Sequence, residues 1–210
     1  MRRPALFVCS LAILVVATPV AEAGCGGVQT ARSAHNLVKG PEPFVIGDSV
    51  MLSAVEPLAR NGFNVNAQGC RWWKHGHAIL RRKKRERRLP RLVVIALGAN
   101  WVLTRREIGQ TRKLLGRRRV LALVTPRESG GYSGSDATRV RAAARAHRNV
   151  VLLDWVKYSR GHGSWFGGDG LHLTQTGVRH YVRCIRQALP YRSGPRPAIG
   201  ARRHPCASRT

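Results

Sequence analysis

Two stretches constrain the fold of this chain more than any others: LVVIALG at 92 to 98 and VLALVT at 120 to 125. Each is almost continuously apolar, too short for a long helix and without the alternation of a strand that has one wet face. Such runs fit strands covered on both sides, which means a parallel sheet between two layers of helices. Shorter runs match them: FVIG at 44 to 47, FNVNA at 63 to 67 and NVVLLD at 149 to 154. Stretches of helix length lie between and after them, at 52–61, 72–89, 104–115, 136–147 and 175–189. Thr104 and Glu107 have the spacing of a capping box, and Asp136 is placed to cap the helix that follows it.

Five strands alternating with helices predict an α/β domain, 43–190, built as three layers on a doubly wound, flavodoxin-like, five-stranded parallel sheet. The flanks read differently. Residues 1–23 carry Arg2 and Arg3, then ALFVCSLAILVVATPV, then the small-x-small pattern Ala21-Glu22-Ala23, which together predict a secretory signal peptide. Residues 24–42 lack periodicity and hold glycines and prolines, so they read as an extended N-terminal segment. Residues 191–210 read as a basic, proline-containing C-terminal tail. The expected location is therefore outside the cell or at its surface.

Export gives the cysteines a meaning. Cys25, Cys70, Cys184 and Cys206 remain after Cys9 leaves with the signal, an even set that predicts two disulfides in an oxidising compartment. The pairing expected is Cys70 with Cys184 inside the domain and Cys25 with Cys206 tying the ends. The charge is extreme: 37 Lys and Arg against 10 Asp and Glu, a formal +27 that becomes +26 when two arginines and one glutamate depart with the signal. Such a balance draws the protein to polyanions in general and names none of them.

In open parallel sheets the site lies beyond the carboxyl ends of the strands. There the sequence puts Gly47-Asp48-Ser49 after the first strand, Ala67 to Arg71 after the second and Gly98-Ala99-Asn100 after the third. A serine hydroxyl needs a base to take its proton, and the base needs a partner to hold its tautomer. Asp169-Gly170-Leu171-His172 supplies such a pair. The expected roles are Ser49 as nucleophile, His172 as base, Asp169 as its orienting acid and Asn100 as an oxyanion donor. Singly, each residue has a plainer reading: Ser49 as a helix N-cap, His172 as a surface or metal-binding histidine, Asp169 as a turn residue. Asp48 reads as a turn-shaping carboxylate whose oxygens accept backbone N–H bonds.

With those blocks in order, the chain resembles the SGNH hydrolase superfamily of GDSL-like esterases and lipases. Gly47-Asp48-Ser49 matches the nucleophile block, Gly98-Ala99-Asn100 the GxN block and Asp169-Gly170-Leu171-His172 the DxxH block. FVIGDSVM, ALGAN, LLDW and DGLHLT most resemble the catalytic domains of bacterial cell-surface acyltransferases and their secreted actinobacterial relatives. The resemblance implies an SGNH hydrolase fold and the roles given above, with no metal and no cofactor. It also implies a backbone N–H from the second block in the oxyanion hole, where VNAQGCRWW offers Gly69 or Cys70, with Arg71 at a commonly basic position.

The expected function is a secreted serine esterase that removes an O-acyl group, acetyl first among them, from a carbohydrate or wall substrate, acting as a monomer. An O-acyltransferase with the same triad and a non-catalytic binder of anionic wall polymers are the alternatives. For the binder, RRKKRERR from Arg81 to Arg88 is the candidate contact with a wall polymer or membrane surface, with Arg117 to Arg119 beside it. The charges carry no interleaved aromatics, which argues against a dedicated nucleic-acid partner. Trp101, Trp155 and Trp165 flank the key loops as candidates for the floor of a sugar or acyl site.

Overall fold

A computed structural model describes residues 25–34, 41–128, 134–195 and 205–208, and the expected signal segment lies outside them. The strands are β1 (Gln29–Ala31), β2 (Phe44–Gly47), β3 (Asn64–Ala67), β4 (Leu92–Ala96), β5 (Val120–Val124), β6 (Val150–Leu153) and β7 (Ala207–Ser208). The helices are α1 (Val55–Ala59), α2 (Trp73–Arg85), α3 (Arg105–Leu115), α4 (Ser135–Ala146), α5 (Trp155–Tyr158) and α6 (Gln175–Arg186). Sheet order is β1-β3-β2-β4-β5-β6-β7.

The five expected strands form the parallel centre of the sheet, in the order β3-β2-β4-β5-β6. The sheet as a whole is not the five-stranded parallel one expected. It is mixed, because β1 and β7 add an antiparallel strand at either edge. These edges come from the segments read as lead-in and tail. At three and two residues they are too short to show a period in sequence.

Side chains alternate across the pleat, and each face has its own core. Val45, Val94, Ala122 and Val151 face one way and pack with α1 and α6. Phe44, Ile46, Ile95, Leu121 and Leu152 face the other way against α2, α3 and α4. Because both faces are dry, every residue of β4 and β5 is buried, which is why those runs are continuously apolar. Each fully buried Leu or Val there contributes roughly 1.5–3 kcal/mol over its exposed state.

Helix boundaries follow local chemistry. The Thr104 hydroxyl accepts from Glu107 N, and the Glu107 carboxylate accepts from Thr104 N, so the expected capping box starts α3. Asp136 does not cap α4; Gly134 holds the N-cap position, and the Asp136 carboxylate turns to accept from Leu103 N at 2.7 Å instead. The stretch after β2 opens as a tight 3₁₀ turn, Ser49–Ala54, before α1.

Both disulfides pair differently from expectation: Cys25 with Cys70, and Cys184 with Cys206. The edge strands are the reason. Antiparallel pairing of Gln29 with Ala67 lays the chain before β1 beside the chain after β3, and so brings Cys25 to Cys70. At the other edge, Cys206 directly precedes β7, whose pairing with β6 places it against Cys184 of α6. Two such cross-links belong to a domain that folds in an oxidising, extracytoplasmic compartment. Among the described residues no helix is long and apolar enough to cross a membrane.

Candidate active site

The strand order turns back between β2 and β4, and the loops beyond those strands hold the first and third blocks. Asp48 caps the 3₁₀ turn, its carboxylate accepting from Val50 N at 3.2 Å. That lifts Ser49, the first residue of the turn, to the rim. The other Asp48 oxygen accepts from Ala99 N at 3.3 Å and so joins the two loops. Burial pushes the Asp48 carboxyl up to about 6, against the lowering effect of the Ala99, Val50 and Gly98 N–H groups. Beneath it lies a cavity of about 20 Å³, the size of one water, bordered also by Thr125, Trp155 and Tyr181.

The expected base, His172, comes from the far end of the chain. Residues 166–173 form a tight loop between α5 and α6, closed by a bridge between Phe166 and Leu173 and by Gly167 N donating to His172 O. Within it Asp169 Oδ1 accepts from the backbone N–H groups of Leu171 and His172, at 2.9 and 3.0 Å. Its Oδ2 accepts from His172 Nδ1 at 2.5 Å. The His172 hydrogen bond, followed by that from Leu171 N, holds the Asp169 carboxyl down to about 2. A carboxylate can only accept, so Nδ1 carries the ring proton and Nε2 presents a lone pair. Ser49 Oγ lies 3.0 Å from Nε2, across 123 residues of sequence.

Loop 98–103 is shaped by three contacts. Gly98 has φ +132°, and a Cβ there would come within 2.8 Å of Pro126, so only glycine fits. Asp48 holds Ala99, and Asp136 holds Leu103. Asn100 Nδ2 is buried with no hydrogen-bond partner in the protein, a donor the fold leaves unspent. On the other flank, Gly69 packs so tightly on the Cys25 carbonyl that a Cβ would meet it at 2.3 Å. Packing therefore accounts for that glycine. Cys70, with φ +50°, turns the chain at the disulfide. Because β3 and β4 flank β2, the loops of Cys70 and Asn100 stand on either side of Ser49.

No protein-family model matches the chain. The O-acetyltransferase OatA of Staphylococcus aureus is 30% identical over 168 residues, 77% of this chain and 27% of that protein. The solved C-terminal catalytic domain of Streptococcus pneumoniae peptidoglycan O-acetyltransferase A, carrying a methylsulfonyl adduct, superposes with TM-score 0.59 at 26% identity. That match covers 71% of this chain and 93% of that domain. The chain belongs to the SGNH/GDSL-like esterase and acyltransferase superfamily. A lipase/acylhydrolase of Enterococcus faecalis shares the SGNH fold at TM-score 0.58 and 19% identity, covering 74% of this chain and all of that one. The chain spans about a quarter of the length of the curated relatives it matches.

Two arginines hold this SGNH site together, and sequence reasoning assigned neither that task. Arg71, buried, donates from Nη1 to Gly47 O at 3.1 Å and Asn66 O at 2.8 Å, locking the ends of β2 and β3. Burial lowers its guanidinium, opposed by the Asp48 charge. Arg127, after β5, donates from Nε to Gly170 O at 3.1 Å and lies 4.0 Å from the Phe166 ring centroid, gripping the His172 loop. In a chain with 37 Lys and Arg, neither has a pattern that sets it apart.

Of the expected aromatic floor, Trp155 and Trp165 are buried core, and Trp101 is exposed. Among the described residues no three His, Cys, Asp or Glu side chains gather as a metal-ligand set. The Arg81–Arg88 run ends α2 and leads into the amino end of β4, away from the loops at the carboxyl ends.

Proposed function

We propose that this domain transfers an acyl group, acetyl above all, between oxygen atoms on a cell-wall glycan through a covalent intermediate on Ser49. The observation that carries the reading is the continuous relay from Asp169 through His172 to Ser49, at 2.5 and 3.0 Å. Asp169 holds the Nδ1 proton and steadies the imidazolium as it forms. Nε2 takes the Ser49 proton as Oγ attacks the acyl carbon. The oxyanion of the tetrahedral intermediate faces the backbone N–H groups of Ser49 and Cys70 and the amide of Asn100, each worth roughly 3 kcal/mol of barrier. On collapse the donor oxygen takes the proton from Nε2 and leaves. The incoming hydroxyl gives its proton to Nε2 and attacks the acyl-enzyme; as the bond from the acyl carbon to Ser49 Oγ breaks, Nε2 returns the proton to Oγ and the acylated acceptor departs.

Transfer to a sugar hydroxyl replaces simple hydrolysis as the leading reading, because the two relatives of higher identity named above are O-acetyltransferases. One observation favours the esterase as second reading: the His172 and Asp169 side chains are each 50% exposed, so water reaches the base. On either reading the catalytic unit is 43–190, exported behind the signal at 1–23 and active as a monomer. The Arg81–Arg88 run holds it to anionic wall polymer with the active-site rim turned outward.

Incubating the mature protein with an aryl acetate and a chito-oligosaccharide, and weighing the sugar by mass spectrometry, tests the proposal. Sugar gaining one acetyl in a Ser49-dependent manner is the expected result. Aryl acetate consumed with no acetylated sugar moves the assignment to hydrolysis, and equal rates with Ser49→Ala remove both readings.

A further inference from the structure

The two loops flanking Ser49 each carry a tryptophan just past the expected oxyanion donor: Trp72 two residues after Cys70, and Trp101 next to Asn100. Their indoles stack with ring centroids 4.5 Å apart and 20° between planes. Trp72 is fixed from its own helix, for its backbone N–H donates to His75 Nδ1 at 3.4 Å and Lys74 Nζ stands 4.3 Å from its ring centroid. Trp101, by contrast, is 60% exposed, and Val102 beside it 58%. These two and Val28 are the large apolar side chains that stand open among the described residues.

An indole pair whose whole task was to clamp two loops would gain most by being covered. This one is open on its outer ring, and it joins the two loops that flank Ser49. A pyranose ring has the matching shape: a face of C–H groups for the indole and a rim of hydroxyls that stay in water. Lys74 adds a positive charge suited to an acidic substituent. Successive Cα atoms are about 3.8 Å apart, so a sugar lying on Trp101 has its ester or hydroxyl within reach of the Asn100 loop.

We propose that the Trp72–Trp101 stack is a glycan subsite, on which a β-linked amino-sugar ring lies against Trp101 and presents its hydroxyl or ester to Ser49. The inference rests on the reading that Ser49 and Asn100 line the acyl site. Its test measures binding and not turnover, so the two fail separately.

The probe is chitopentaose, titrated into Ser49→Ala protein by calorimetry and tryptophan fluorescence. Saturable binding with a change in indole emission is expected. Adding Trp101→Leu, which keeps bulk and removes the flat face, weakens binding by about two- to tenfold, the size of one lost stacking contact. Trp101→Phe, which keeps a ring, restores most of it. Thermal unfolding of each variant shows whether the loops remain folded. Unchanged affinity in folded Trp101→Leu protein overturns the subsite, as does the absence of binding in the Ser49→Ala parent at millimolar sugar. Loss of affinity in Trp101→Phe equal to that in Trp101→Leu assigns the residue to loop packing and also overturns it.

Discussion

Asp48 and Ala99 lie 51 residues apart in sequence, and a hydrogen bond from the Ala99 N–H to the Asp48 carboxylate joins the Ser49 loop to the Asn100 loop. The carboxylate that does this is buried and pushed up to about 6, so the folded protein binds that proton more tightly than the unfolded chain does. Folding therefore loses stability as pH rises from the ordinary carboxylate value towards 6, and the full cost is present above it. Asp48→Asn cannot ionise and escapes the cost. Between about pH 3.5 and about pH 7 the difference in unfolding free energy should move in the variant's favour by roughly 3 kcal/mol. Urea unfolding of both proteins at the two pH values measures it; a difference that stays constant means the carboxylate is not titrating. The variant also loses the acceptor for Ala99, so its catalytic rate should fall.

Asp169 has the opposite sign. Its carboxyl is held down to about 2, so its contribution to stability is complete above the ordinary carboxylate value and is lost only as pH falls through 2. The group is half exposed and solvent-screened, so Asp169→Asn should barely change unfolding at neutral pH. Its activity should drop by about 10⁴-fold, since the amide no longer fixes the Nδ1 tautomer. Ser49→Ala and His172→Ala should each lose as much or more, and the double variant little beyond either single one, because the three act as a unit. Single-turnover kinetics with an aryl acetate decide it; additive losses would mean the residues work separately.

The cross-links differ in what they protect. Cys25–Cys70 closes 45 residues and Cys184–Cys206 closes 22, which by loop entropy are worth roughly 4 and roughly 3 kcal/mol. Replacing either pair with serine should lower the melting temperature by comparable amounts. Catalytic rate should separate them. Loss of Cys25–Cys70 frees the loop beside Ser49, whereas Cys184–Cys206 fixes the far edge of the sheet. Rates measured well below both melting points test this, and equal activity in the two variants would contradict it.

Much of the fold could be read from the chain because parallel strands covered on both faces must be apolar throughout. The runs at 92–98 and 120–125 accordingly fall on β4 and β5. The blocks after β2 and β4 could be read too, since each pairs a glycine with a polar residue where an apolar run stops, and the Asp169–His172 block by the spacing of its acid and imidazole. What could not be read depends on distant pairing. The disulfides follow from two edge strands so short that no pattern marks them, and a different edge would have paired the same cysteines otherwise. Asp136 resembles a cap by position, yet its carboxylate is drawn to the Leu103 N–H, a donor from another loop.

Arg127 should act on rate through the loop it grips. Replacing it with leucine removes the donor to Gly170 O and the charge over Phe166, leaving Asp169 and His172 less well held. The expected outcome is a fall of about tenfold in kcat with little change in KM for a small acetyl ester, as for a lost transition-state interaction. Lysine, which keeps a charge but not the fork, should recover only part. A change confined to KM would place Arg127 at the substrate instead.

The basic run divides into two kinds of residue. Lys83 lies over the Phe44 ring and Lys84 donates to Leu114 O, so both serve the fold. Arg81, Arg82, Arg85 and Arg87 extend into solvent. Changing these four to glutamine should reduce retention on an anionic wall polymer, most strongly at low salt, while the melting temperature stays within about 2 °C, as for surface sites. Retention equal to that of the unaltered protein would show that the charge serves no tether.

The link from Cys25 to Cys70 carries a further consequence. Cys70 turns the loop beside Ser49, and its partner sits near the very start of the expected mature chain. In a reducing compartment that bond would not persist, and the loop would lose its cross-link. On the proposed reading, full activity would therefore come only where that bond can form, in the oxidising space beyond the membrane.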